Sequence, residues 1–242
     1  MKYNCWQIVM GQRYIGSSME RGIFVVIEGL DRCGKSTQAK RLVDNIGTDH
    51  CTEMCFPDRE TMIGKLINTL LTSDRNDVTL NHQSMHLLFS ANRWERNDDI
   101  KKILSEDKKD IVCSRYYFSG AAYSMAKGLG YQWCVSPEDG LVQPDIVFYL
   151  KHASSKDLSK REGFGTELFE EINFQEKVSI SFDTLFKLEN VMWDKLKSQQ
   201  EKFDISLEAC VAPHYVEIDA SQSIDTISGI IMDTYQKIKY LK

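Results

Sequence analysis

A chain of 242 residues with 42% hydrophobic and 27% charged side chains has the composition of one folded domain, able to bury roughly 70 to 75% of its unfolded surface without a second domain. That balance excludes a disordered or fibrous chain, and the formal net charge of −5 disfavours nucleic-acid binding driven by phosphate neutralisation, although a local cluster of arginines still suits a small anion. Seven cysteines, an odd number without paired CxxC motifs, argue against a disulfide framework and for a reducing compartment.

Residues 1–21 carry Lys2 and Arg13 and no acid before Glu20. They read as an N-terminal extension that need not be ordered, with a faint resemblance to an organelle-targeting segment. No apolar run approaches the roughly 20 residues that span a bilayer. No membrane contact is expected, and a cytoplasmic or nuclear location fits, with organelle targeting left open. From residue 22 to 242 strand-like apolar runs alternate with helical patterns, as in βαβ units built on a parallel sheet. The expected strands are Ile23–Glu28, Cys51–Phe56, Asp110–Ser114, Asp145–Leu150 and His214–Asp219, each rich in Val, Ile, Phe, Tyr or Cys. Helices are expected at 35–46, 61–72, 77–107, 117–128, 168–200 and 222–241. Cys51 and Cys55 lack further ligands at metal-site spacing and read as buried thiols.

The strongest chemical signal is Gly29-Leu-Asp-Arg-Cys-Gly34-Lys35-Ser36, a GxxxxGK[ST] motif followed by Thr37. It follows the strand FVVIEG and opens the helical run STQAKRLVDNI, so its backbone N–H groups and a helix N-terminus converge on an anion. Lys35 is placed for β- and γ-phosphates, and the Ser36 hydroxyl for Mg²⁺. Cys33, beside a helix N-terminus and Lys35, is expected to have thiolate character. GTPases, ATPases and small-molecule kinases share this cradle, and the chain has no NKxD guanine-reading motif. Arg59 in FPDR, Arg93 in ANRWE and Arg115 in SRYYFSG stand near proposed strand ends. Ligands of open α/β sheets bind there, so these cations suit a second anion, a phosphorylated acceptor beside ATP. Phe89 and Arg93 are four apart in a helical stretch and share a face, which presents a flat ring and a planar donor fork to one base. The alternative places Phe89 in a core stripe with Met85 and Leu88.

GLDRCGKSTQ, FPDRET, HLLFSANRWE, RYYFSGAAYS and GLVQPDIVFYL together resemble the thymidylate kinase family, especially its eukaryotic-type members, over about residues 22–241. The resemblance implies a P-loop NTPase of the adenylate-kinase-like type: an α/β fold with a five-stranded parallel sheet flanked by helices and a mobile lid. It implies phosphorylation of dTMP to dTDP with ATP and Mg²⁺, in dTTP synthesis, by a homodimer built on helices that include the 77–107 region. The ATP site would comprise Gly29, Arg32, Cys33, Gly34, Lys35, Ser36, Thr37 and Arg161. Arg59 and Arg115 would hold the dTMP phosphate, Phe89 stack on thymine, and Arg93 bond its edge. Phe56, Pro57, Ser119 and Gly120 would complete the acceptor pocket, with Tyr123 near the sugar 2′ position or in a packing role. Asp31 resembles a carboxylate that meets the acceptor sugar, and Arg32 an arginine aimed at the γ-phosphate. Residues 154–170, with Lys160, Arg161 and Gly163-Phe-Gly165, resemble the lid.

Two positions depart from the family pattern. Ser114 stands where an Asp usually organises the hydration shell of Mg²⁺, and Phe169 where many relatives have a lid tyrosine. A broader pyrimidine monophosphate kinase and a catalytically weak nucleotide-binding protein therefore stay open as alternatives.

Overall fold

The computed structural model describes residues 21–73, 80–152, 169, 171–203 and 213–241. Five strands, β1 (Phe24–Gly29), β2 (Cys51–Cys55), β3 (Asp110–Ser114), β4 (Ile146–Lys151) and β5 (His214–Asp219), form one all-parallel sheet in the order β2-β3-β1-β4-β5. β1 lies in the middle. Its Phe24, Val25, Val26 and Ile27 are wholly buried, each worth roughly 1.5–3 kcal/mol relative to exposure. Covering on both faces explains why β1, β3 and β4 read as unbroken apolar runs rather than as alternations. The expectation of buried thiols on β2 is met at Cys51 and corrected at Cys55, which lies at the exposed end of the strand.

Helix α1 (Lys35–Ile46) starts from Gly34, held at φ 97°, and has no acidic residue in its first turn. Its N-terminal dipole is thus left for an external anion. In α2 (Met62–Thr72), Thr61 Oγ1 caps the first turn by accepting from Gly64 N at 3.0 Å, and in α3 (His82–Glu95) Asn81 Oδ1 accepts from Ser84 N at 2.7 Å. The expected single helix over 77–107 is corrected within its described residues: α3 ends at Glu95 and α4 (Asn97–Ser105) begins beyond Arg96. At the break, for which no Gly or Pro signals, Arg96 pairs with Asp58 across the fold at 3.2 Å and with Asp99 three residues on at 2.8 Å. Helix α5 (Tyr117–Met125) follows β3. A short α6 (Tyr131–Val135) and a one-turn 3₁₀ segment (Ser136–Glu138) then appear where no helix is expected, being too short to carry a 3.6-residue period. Helices α7 (Ile172–Phe203) and α8 (Ile224–Leu241) complete the two layers.

The two edges of the sheet differ. At the N-terminal edge, carboxylates serve structure: the buried Asp110 accepts from Ile23 N at 2.7 Å and from Lys239, and the half-buried Asp145 accepts from Phe24 N at 2.7 Å and from Arg21. The C-terminal edge opens into a cavity.

Candidate active site

The cavity has a volume of about 400 Å³ and is walled by the loop after β1, the segment after β2, α3, and the end of β3 running into α5. From the first loop come Asp31, Arg32, Lys35 and Ser36. Gly29, at φ 146°, is needed because a Cβ there would lie 2.6 Å from Leu150 O and 2.7 Å from Cys33 Sγ. Lys35 is buried, donates to Leu30 O and lies 3.6 Å from Cys33 Sγ. Burial, helped by the charge of Arg115, holds its ammonium below the usual lysine range. Cys33, within the loop, is itself only 2% exposed.

Asp31 is the hub of the site. Its Oδ1 accepts from Arg115 Nη2, and its Oδ2 accepts from Tyr123 Oη at 2.8 Å and Gln175 Nε2 at 2.8 Å, while Asp31 N donates to Gln175 Oε1 at 3.2 Å. Burial pushes the Asp31 carboxyl up, but the charges of Arg115 and Lys35 with the two side-chain hydrogen bonds hold it below its ordinary value. Arg115 also donates to Ser119 Oγ at 3.0 Å and to Gly29 O at 3.3 Å. The phosphate loop, α5 and α7 are therefore tied by one ionic network. Glu28, wholly buried at the end of β1, accepts from Tyr116 N at 2.8 Å, Ser119 N at 3.1 Å and Ser119 Oγ. Burial raises its pKa. It fixes the start of α5, and hence Arg115, against the central strand.

On the opposite wall, Asn92 of α3 clasps the segment after β2, accepting from Asp58 N at 2.8 Å and donating to Asp58 O at 3.1 Å. Arg59 on that segment donates to Asn68 Oδ1 at 2.8 Å and lines the cavity with Phe56 and Pro57. Phe89 stands on the wall, half-buried and outside the main core cluster, while Met85 beside it is buried. Arg93, one turn further along α3, is 2% exposed and also lines the cavity.

A phosphate loop facing a second cationic wall has a counterpart among known proteins: the thymidylate kinase family model matches residues 27–206. The chain belongs to the thymidylate kinase family. The thymidylate kinase of Schizosaccharomyces pombe is 39% identical over 226 residues, covering 92% of this chain and 95% of that protein. The human thymidylate kinase is 42% identical over 176 residues, covering 72% of this chain and 82% of that protein. Among solved structures, a thymidylate kinase from Candida albicans, described as having broad substrate specificity, superposes with a TM-score of 0.72 at 34% identity, covering 90% of this chain and 93% of that one. Five parallel strands flanked by helices are the fold of that thymidylate kinase too.

Of the residues the thymidylate kinase resemblance implies, the cavity brings together Asp31, Arg32, Lys35, Ser36, Phe56, Pro57, Arg59, Phe89, Arg93, Arg115, Ser119, Gly120 and Tyr123. Gly29, Cys33, Gly34 and Thr37 belong to the loop and α1 start without lining the cavity. Arg161 and the lid span 154–170 lie outside the described residues, Phe169 apart. Tyr123 packs against the core and donates its hydroxyl to Asp31 Oδ2 at 2.8 Å. Ser114 is 5% exposed and lines the cavity at the end of β3.

Sequence reasoning misses four contributors. Glu28 had a signal, since an acid inside a buried strand demands partners. Gln175 and Glu138 had none, because only packing brings them to Asp31 and Arg93. Lys127, at the end of α5, sits with its Nζ 3.7 Å from the ring centre of Phe169 and lines the cavity. Burial pushes its pKa down to about 8.

Proposed function

We propose that this chain transfers the γ-phosphoryl group of ATP to a phosphate oxygen of dTMP, yielding dTDP and ADP. The observation that carries the reading is the Arg115–Asp31 pair, which joins the phosphate loop to the cationic wall at one cavity. The P–O bond to the β-phosphate bridging oxygen breaks as a new P–O bond forms to the acceptor, with no covalent enzyme intermediate. Catalysis then rests on positioning and electrostatics. Lys35 neutralises the β- and γ-phosphates, and Arg32 supports charge shifting to the transferring group. Arg59 and Arg115 hold the acceptor phosphate, and Phe89 and Arg93 take the base.

Mg²⁺ fits this site as a nucleotide-bound ion. Among the described residues no group of three or more potential ligands exists, while the exposed Ser36 hydroxyl faces the cavity. One protein oxygen, phosphates and waters are what Mg²⁺ ordinarily takes. Ser36 would hold it with the nucleotide's phosphates, and the ion would neutralise phosphate charge there. Ser114, on the same wall, lacks the charge of a carboxylate. Ser114→Asp is expected to lower the half-saturating Mg²⁺ concentration at saturating ATP and dTMP by about tenfold, as a partner in the metal's outer shell does. Identical Mg²⁺ titrations for both proteins would remove position 114 from that shell.

Two apolar faces support a homodimer. Met62 and Leu66 of α2 are 84% and 49% exposed, and Leu87 and Trp94 of α3, seven residues apart, are 47% and 40% exposed. The two helices pack together, and their exposed apolar side chains suit a second copy of this chain. Light scattering at micromolar concentration should give twice 27.9 kDa. A mass of one chain would overturn the dimer.

Calorimetry tests the two-subsite reading itself. dTMP and a non-hydrolysable ATP analogue should bind together, one of each per chain. Mutual exclusion would contradict it.

A further inference from the structure

Glu138, 3% exposed, ends the 3₁₀ segment Ser136–Glu138. Its Oε2 accepts from Arg93 Nε at 2.8 Å and its Oε1 from Arg93 Nη2. The turn is pinned to the helix that carries Arg93, because Ser90 Oγ and Trp94 Nε1 both donate to Pro137 O, at 3.2 and 2.8 Å. On the other side of the guanidinium runs α5 at Gly120, where a Cβ would stand 2.6 Å from Nη2 and 3.1 Å from Nη1. His86 flanks the pair, its Nδ1 2.8 Å from Ser124 Oγ and its Nε2 3.9 Å from Glu138 Oε1, too far for a hydrogen bond.

An arginine has five N–H donors in a rigid fork. Glu138 takes one on Nε and one on Nη2. The two on Nη1 and the outer one on Nη2 have no hydrogen-bond partner among the described residues, on a side chain that lines the cavity. Such a fork accepts a carbonyl oxygen and refuses an amino group. Thymine and cytosine differ in that respect, one presenting O4 as acceptor and the other an N4 donor.

We propose that Glu138 is a positioning residue for acceptor selection: by holding Arg93 through Nε and Nη2 it aims the remaining donors at the base edge. This rests on the reading that the cavity takes dTMP through Arg93. Without the carboxylate the guanidinium regains its rotamers, and both affinity for the base and rejection of an amino edge weaken. A glycine at 120 is part of the same device, since it lets the guanidinium lie against the helix backbone.

Steady-state kinetics with dTMP, dCMP and ATP test this on Glu138→Gln, Glu138→Asp, Arg93→Ala and the Arg93→Ala/Glu138→Gln double variant. Glu138→Gln should raise the KM for dTMP about tenfold, the scale of one charge-assisted hydrogen bond. Its kcat and the KM for ATP should stay put, and the kcat/KM preference for dTMP over dCMP should fall by a similar factor. Glu138→Asp, which keeps the charge, should recover part of that preference. In the Arg93→Ala background the change at 138 should add nothing. Equal losses toward ATP and dTMP, or independent effects in the double variant, would reduce Glu138 to a structural ion pair and overturn the proposal. An unchanged KM for dTMP in Arg93→Ala would instead overturn the acceptor reading beneath it. Should Glu138→Gln fail to fold, Gly120→Ala pushes the guanidinium from its other face, and the same split between dTMP and ATP is expected; its absence counts against the proposal.

Discussion

Replacing Lys35 by Ala is expected to lower kcat by about 10²–10³-fold, the loss seen when one preorganised donor is removed from developing charge. Lys35 is 6% exposed and sits where the loop after β1 meets the N-terminus of α1. Its ammonium is a compact point charge in a closed space, so Lys35→Arg should not rescue turnover. The loop should keep its course through the positive-φ positions Gly29 and Gly34 while losing one hydrogen bond, from Lys35 Nζ to Leu30 O. A thermal melt close to that of the parent, together with lost kcat, is the expected pair of results. Unaltered kcat would remove Lys35 from the transferring group.

Arg115→Ala should abolish detectable binding of dTMP and cost about 3 kcal/mol of stability at neutral pH, as breaking a buried ion pair does. The side chains of Arg115 and Asp31 are only 18% and 21% exposed, and Arg115 also lowers the proton affinity of the wholly buried Glu28. The sign of the pH effect follows. In the parent protein Asp31 has a lowered pKa, so its contribution is present above the unfolded-state value and is lost as pH falls through the folded one. Without Arg115, burial is opposed at Asp31 only by Lys35 and the Tyr123 and Gln175 hydrogen bonds and at Glu28 only by its hydrogen bonds, so both carboxyls move up and the variant is penalised most where they must ionise. Denaturant melts should show the gap between the two proteins narrowing from pH 7 to pH 5. A gap that widens on acidification would contradict the network.

The central strands are legible in the sequence because burial on both faces makes them near-continuous apolar runs, as in FVVI of β1 and IVFYL of β4. The phosphate loop is legible because its glycines and lysine answer to local geometry and to one ligand. Where local chemistry is silent, sequence reading fails. Arg96 stands at a helix break, paired with Asp58 and Asp99, and nothing about an arginine in a helical run announces it. Asp31 and Gln175 are 144 residues apart, and Arg93 and Glu138 are 45 apart. Arg93 is readable as a base-edge donor, but the carboxylate holding it falls in Ser-Pro-Glu-Asp, which reads as a turn. The groups that touch ligand are thus more visible than the groups that hold them in place.

The account rests on one acceptor being chosen at one cavity, and a panel of nucleoside monophosphates with Mg²⁺-ATP measures that most directly. With dTMP, dUMP, dCMP, dGMP and AMP at equal concentration in separate assays, ADP release should be fastest with dTMP, match dTDP mole for mole, and nearly vanish when no monophosphate is present. ADP release at an undiminished rate without an acceptor, or a faster rate with another monophosphate than with dTMP, would contradict it.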